Sequence, residues 1–403
     1  MYKKEQKVYL IGMGMGTQDT VTKEANQCLE ECDWIIGSKR IVQSVKSFKK
    51  PVFLSHKPEE ILEFLQEKKE QEKFAILFSG DSGFYSGAKR LVEVLEDQYE
   101  VIIIPGISSF VYFAGKLKTS WEDAEFVSLH GRETNYIYSI CHSAKTFLLL
   151  GDQKKTKEFC EKLKYYNLTN LEIWVGQNLS SEQEKIFKRD SKSLAPEELK
   201  GLTVLMIRNP NPDKRIRPHI SDEEFIRGSV PMTKGEIRSL IMDKLQLKKD
   251  SILYDIGAGT GSISIEAALQ GMDVKVFAIE KKEEACKLIR ENCRQFRVDN
   301  VKVIAGYAPE AYGDLEKPTH VFIGGSSGNM KEILEGVKTK NPKVRIVLTA
   351  ITLESLNMAL EAEKAGILEE LCITQVNVSS VKTRGAYHMM QGENPIFIIS
   401  EGE

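Results

Sequence analysis

The segment SILYDIGAGTGSISIEAALQG, residues 251–271, decides the reading of this chain. An apolar strand runs to Asp255, glycines stand at 257, 259 and 261, and a helix-forming stretch follows. Glycine at such a turn lets backbone approach a ligand, and the first turn of the helix offers unpaired N–H groups to it. The order strand, glycine loop, helix places a nucleotide-like ligand at the carboxyl end of the strand. A dinucleotide fingerprint needs G-x-G-x-x-G. Here the third glycine comes one residue early and Ser262 takes its place, which disfavours NAD. The next strand, VKVFAIE at 274–280, ends on Glu280, a carboxylate placed to accept hydrogen bonds from both hydroxyls of a ribose and unsuited to a 2′-phosphate.

Around this motif, strand and helix alternate. Helices are predicted at 235–246, 261–271, 281–296, 328–338 and 353–365, and strands at 251–256, 274–279, 301–305, 319–323, 344–349 and 371–377. That alternation predicts a mostly parallel sheet covered on both faces. Upstream, strand-like runs at 7–11, 33–37, 74–78, 101–104, 126–129, 146–150, 171–175 and 203–207 alternate with charged helical stretches at 57–72, 85–97 and 154–166, a second α/β region. Between the two lies RNPNPDKRIRPHISDEEFIRGSVPM, with prolines at 210, 212, 218 and 231, each disfavouring helix in the residue before it. The expected division is a domain over 1–208, a linker over 209–217 and a domain over 218–403. Two domains of roughly 200 residues suit a chain of 403.

The first region carries its own glycine loops. VYLIGMGMG turns through Gly12, Gly14 and Gly16 after a strand, LFSGDSGFYSG brings Gly80, Asp81 and Ser82 after another, and IIIPGISSF brings Gly106, Ser108 and Ser109 after a third. One such loop is most simply a structural turn, but three at strand ends converge on one cleft.

These motifs carry two resemblances. The stretch 251–280 resembles the class I S-adenosylmethionine methyltransferases, in which the D-x-G-x-G-x-G loop holds the methionine end of the donor and the acid holds the ribose. PHISDEEFIRGSVPMTKGEIRSLIMDKL, GYAPEAY, VFIGGSSGNMKEIL and TAITLESL, in that order, narrow it to the decarboxylating C15-methyltransferase domains of the cobalamin pathway. That resemblance implies donor contacts from Thr233, Gly257, Ala258, Gly259, Thr260, Gly261, Glu280 and Ala308. Tyr307 departs from the pattern, an acid being more usual there to meet the adenine amino group. The loops of the first half, with SLHGR at 128–132, resemble the tetrapyrrole methylase family in its C5-methyltransferase branch, although proline is more usual where Met15 and Ser82 stand. In that family the donor lies folded between two lobes, which makes Gly12, Gly14, Gly16, Gly80, Asp81, Ser82, Ser108 and Ser109 candidate contacts.

The resemblances together imply an α/β chain in which a two-lobed tetrapyrrole methylase fold precedes a Rossmann-like class I methyltransferase domain. They imply one S-adenosylmethionine per domain, a corrin precursor as substrate, methylation at C5 and C15, and loss of carbon dioxide from the ring C acetate. A substrate with several carboxylates calls for cations, since arginine grips a carboxylate with two hydrogen bonds. Arg132, Lys234 and Arg384 are the candidates, each weighed against a plain solvated charge. His130 and His388 read as structural histidines rather than proton carriers, and no catalytic residue is assigned. A homo-oligomer is implied by the resemblance only.

Composition sets the exclusions. Formal net charge is −2 and the pI about 6.4, which gives no attraction to a phosphate backbone and disfavours nucleic acid. No run reaches the roughly 20 apolar residues of a spanning helix, and the start MYKKEQKVYLIG reads as a buried strand rather than a signal peptide, so a cytoplasmic protein is expected, with no membrane partner. Seven scattered cysteines without a Cys-x-x-Cys pair suit reduced thiols, and the histidines lack metal-ligand spacing, so no metal is expected. Two other readings stay open. One is a methyltransferase acting on a macromolecule, because the first-half fold also resembles diphthine synthases and ribosomal RNA 2′-O-methyltransferases; the other is a chain with one catalytic and one scaffold half.

Overall fold

The structure, a computed structural model, describes residues 6–69, 72–130, 134–215, 219–326 and 328–401. It separates into two compact units, one of Met1–Arg132, Ala144–Lys164 and Leu168–Pro210, the other of Glu133–Ser143, Tyr165–Asn167 and Asn211–Glu403.

The first unit holds two five-stranded sheets. In one, β1 (Lys7–Gly12), β2 (Trp34–Gly37), β3 (Val52–Leu54), β4 (Phe74–Phe78) and β5 (Glu100–Ile104) lie in the order β3-β2-β4-β1-β5, all parallel. Its strands are apolar on both faces, as parallel strands under helices must be. Leu10 and Ile76 pack on one side, and Ile11 and Leu77 on the other. The second sheet orders β6 (Glu125–Ser128), β7 (Lys145–Leu149), β8 (Glu172–Gln177), β9 (Lys185–Asp190) and β10 (Thr203–Arg208) as β6-β7-β10-β8-β9, parallel only between β6 and β7. The helix expected over 57–72 ends at Gln66, where the buried stripe of Ile61 and Leu65 stops and charged residues offer no further face to bury.

The second unit is a seven-stranded sheet, β13-β12-β11-β14-β15-β19-β16. Its strands are β11 (Ile252–Ile256), β12 (Lys275–Glu280), β13 (Val301–Ala305), β14 (His320–Ile323), β15 (Arg345–Ala350), β16 (Leu371–Val376) and β19 (Ile396–Glu401), with β19 antiparallel to both of its neighbours. Between β16 and β19 in sequence, β17 (Ser379–Arg384) and β18 (Tyr387–Gly392) form a separate hairpin whose residues are all exposed. Two apolar layers cover the sheet. Leu253, Ala278 and Val347 belong to one, and Tyr254, Ile279 and Leu348 to the other, the alternation a pleat imposes. After β11 the chain adds β12 and β13 on one side and β14 and β15 on the other, so the carboxyl end of β11 is the point where strand order reverses, where open α/β sheets form their crevice.

Candidate donor-binding site

At the end of β11, Gly257, Gly259 and Gly261 all adopt left-handed backbone, with φ of +74°, +57° and +77°. Only glycine takes this bend without strain. Space reinforces the requirement: a Cβ on Gly257 would lie 2.7 Å from the Gly325 carbonyl oxygen, and one on Gly261 would lie 2.9 Å from Ile289. The loop is tied to β12, since the N–H groups of Gly257 and Ala258 donate to the Ile279 carbonyl at 3.0 and 3.2 Å.

Glu280 ends β12 almost buried, and its carboxylate spans the mouth of the loop. Oε2 accepts the Gly259 N–H at 3.0 Å and Oε1 the Lys282 N–H at 2.9 Å. A carboxylate has about four acceptor positions, so two donors leave room for two more. Beneath the loop, Asp255 is 1% exposed; the Ser264 hydroxyl donates to one of its oxygens, and the other oxygen has no partner. Burial pushes its pKa up to about 7, with the Ser264 hydrogen bond opposing and the Glu280 charge adding to the rise. The buried Thr260 hydroxyl is also without a partner.

These groups line a cavity of about 470 Å³, within the range of small-molecule sites. Thr233 and Lys234 enter it from the segment before the helix Gly235–Leu245, and Ala308 and Tyr307 from the turn after β13. Lys281, beside Glu280, sits 5.3 Å from the Tyr307 ring centre. The Asn329 amide holds the Ala308 carbonyl at 2.6 Å. The residues fit S-adenosylmethionine: glycine backbone where a side chain would fill the space, and a carboxylate with open acceptor positions at the cradle.

Of the candidates in this half, Thr233, Lys234, Gly257, Ala258, Gly259, Thr260, Glu280 and Ala308 line the cavity, while Gly261 shapes the loop behind it. Arg384 sits at the end of β17 beside the exposed turn of the hairpin and is not among the lining residues. Arg132 lies outside the described residues.

In the first unit the three loops meet. Gly14 and Gly80 exchange backbone hydrogen bonds at 3.1 and 2.6 Å, and a Cβ on Gly12 would lie 2.6 Å from the Gly106 nitrogen. Gly16 has left-handed backbone with φ of +85° and stands clear of this junction. The Asp81 carboxylate accepts the N–H groups of Gly83 and Gly106 at 2.8 and 2.9 Å, and the Ser82 hydroxyl donates to the Ile104 carbonyl at 3.2 Å. Ser108 caps the helix that Ser109 opens. Gly12, Gly14, Gly80, Asp81 and Ser82 are thus brought together, with Asp81 and Ser82 engaged in holding the loops to one another.

Sequence reasoning missed the buried support of the second site. Arg238, fully buried, donates to Glu266 at 2.9 Å, to Asp222 at 2.6 Å, to the Thr233 carbonyl at 2.6 Å and to the Ile220 carbonyl, fixing the segment that delivers Thr233 and Lys234. The signal was available: Glu266 is a carboxylate in the otherwise uncharged helix SISIEAA, a position that demands a buried partner.

The tetrapyrrole (corrin/porphyrin) methylase family matches residues 7–195, and the precorrin methyltransferase domain family matches residues 224–401. The cobalt-precorrin-6B C(15)-methyltransferase (decarboxylating) of Salmonella typhimurium is 39% identical over 184 residues, 45% of this chain and 94% of that protein. Among solved structures, precorrin-6Y C5,15-methyltransferase from Geobacter metallireducens is 36% identical, with 46% of this chain and 97% of that chain covered and a TM-score of 0.43. The precorrin-6Y methylase of Archaeoglobus fulgidus is 18% identical, with 51% and 98% covered and a TM-score of 0.40. The chain belongs to the precorrin methyltransferases, with a tetrapyrrole methylase half preceding a precorrin methyltransferase half. It is accordingly an S-adenosylmethionine-dependent methyltransferase.

Proposed function

We propose that this chain methylates a corrin precursor at C5 through residues 1–208 and at C15 through residues 218–403, the latter with decarboxylation of the ring C acetate, in cobalamin biosynthesis. The observation that carries the reading is the cavity at the β11 end, lined by the glycine loop and by Glu280, whose carboxylate keeps acceptor positions open. The activity named for the Salmonella relative supports the C15 step.

The donor supplies an activated methyl group, and the chain supplies alignment and the exclusion of water. Glu280 receives the ribose hydroxyls, the Gly257–Gly261 backbone lets the donor lie close, and Asp255 and Thr260 answer the polar methionine end. Lys234 at the rim faces the anionic substrate. Electrons left by decarboxylation pass into the conjugated ring, so the substrate acts as its own sink. A second donor is held by the first-half loops of Gly12, Gly14, Gly16, Gly80, Asp81, Ser82, Ser108 and Ser109, one per domain.

A homo-oligomer is part of the same reading, supported by the exposed hairpin that carries Val381, Tyr387, Met389 and Met390; light scattering on the purified chain tests it. No helix among the described residues is long and apolar enough to cross a membrane, which suits a small-molecule enzyme. Mass spectrometry on purified corrin intermediates, with and without cobalt, tests the chemistry. The expected product has gained two methyl groups and lost one carbon dioxide. A product unchanged on incubation with donor would overturn the reading.

A further inference from the structure

Asn292 sits inside the helix Glu283–Phe296 and is completely buried. Asparagine is a poor helix former and its amide is costly to bury, so the position needs a compensating role. Its Oδ1 accepts the Ile226 N–H at 2.8 Å, while Nδ2 donates to the Ile226 carbonyl at 3.1 Å and to the Thr260 carbonyl at 3.1 Å. Only this orientation of the amide fits, because two carbonyls need donors and one N–H needs an acceptor.

The two partners belong to two different segments that build the donor cavity. Ile226 lies in the irregular segment 219–234, which continues into the lining residues Val230 to Lys234, and Thr260 lies in the glycine loop. The two segments already touch, since a Cβ on Gly259 would lie 3.1 Å from the Pro231 carbonyl oxygen. We propose that Asn292 is a positioning residue for donor binding: one buried amide holds the 219–234 segment and the glycine loop at a fixed separation and so sets the width of the cavity. The inference rests on the reading that this cavity takes the methyl donor.

The test measures carbon dioxide release by the full chain against S-adenosylmethionine and against the corrin substrate. Asn292→Asp keeps size and the acceptor for the Ile226 N–H, but turns a carboxylate toward two carbonyls that had donors. The donor KM is expected to rise roughly ten- to hundred-fold, the scale of leaving buried carbonyls unpaired, with the corrin KM within about two-fold of wild type. Ile226→Pro deletes the N–H that Oδ1 accepts without touching the core, and Phe225, already extended at ψ 141°, tolerates a following proline. It decides the matter if the buried variant fails to fold, and a several-fold rise in donor KM is expected. A donor KM unchanged in a folded variant overturns the proposal, as does a rise in both KM values together, which marks a general structural role. Wild-type chain that releases no carbon dioxide on addition of donor removes the underlying reading and this inference with it.

Discussion

Asp81 and Asp255 each follow or end a parallel strand beside a glycine loop, yet their carboxylates do different things. Asp81 has one oxygen occupied by the Gly83 N–H of its own loop and the other by the Gly106 N–H of a neighbouring loop, whereas Asp255 is buried with one oxygen accepting from Ser264 and the other facing no donor. The glycines differ in the same sense. A Cβ on Gly106 would strike the Gly80 carbonyl at 2.3 Å and that of Gly12 at 2.5 Å, so three loops of the first unit close on each other. In the second unit the loop bends round an open cavity of about 470 Å³. Similar glycine-rich sequence thus builds a self-satisfied junction in one place and a receptive cradle in the other.

The largest expected effect breaks the junction. Gly106→Ala meets backbone on two sides, with no rotamer to yield, and should destabilise the first unit by about 3 kcal/mol in denaturant unfolding. A cost under about 1 kcal/mol would mean that the three loops do not touch. Next, Glu280→Ala removes the acceptor of the Gly259 and Lys282 N–H groups together with the ribose contact; C15 methylation and carbon dioxide release should fall about a hundred-fold while C5 methylation is spared. Equal loss of both methyl transfers would show that the two sites are not independent.

A smaller effect follows from acidity. Asp255, raised from its ordinary 3.8 to about 7, is neutral below that pH and charged above it. A cationic donor favours the charged form, so donor affinity at the second site should fall by up to about ten-fold between pH 8 and pH 6, with proton release on binding seen by calorimetry in buffers of different ionisation heat. Asp255→Asn should flatten this dependence. By the same linkage the empty second unit loses stability as pH rises from about 4 to about 7, because the unfolded carboxyl gives up its proton first. The smallest change is expected from Asp81→Asn. One acceptor survives, so about 1 kcal/mol of first-unit stability is lost and the donor KM for C5 methylation stays within about three-fold.

The sequence was most informative where burial and periodicity agree. The strands KVYLIG, FAILF and ILYDI and the glycine bend after Asp255 were legible because parallel strands read as apolar runs and left-handed turns demand glycine. Strand β3 was missed because three residues carry no period, and β9, KIFKRD, because an edge strand exposes its charges. The hairpin β17–β18 has no buried face to leave a pattern, and β19 enters the sheet through pairing with strands distant in sequence. The side chains that fix the second site escaped for the same reason. Asn292 acts through backbone groups, which have no signature in a string of residue types, and Arg238 is announced only indirectly, by the lone carboxylate of its partner Glu266.

The place of β19 in the sheet also governs the order of assembly. It lies between β15 and β16, so residues 396–401 must be made before β16 can join its sheet, and the second unit stays open along that edge until the ribosome has passed them. Strands β1 to β10 of the first unit are all complete by Arg208. During synthesis the earlier unit can close while the later one still shows the unpaired edge of β15, the interval in which a chaperone or a neighbouring nascent chain would find it.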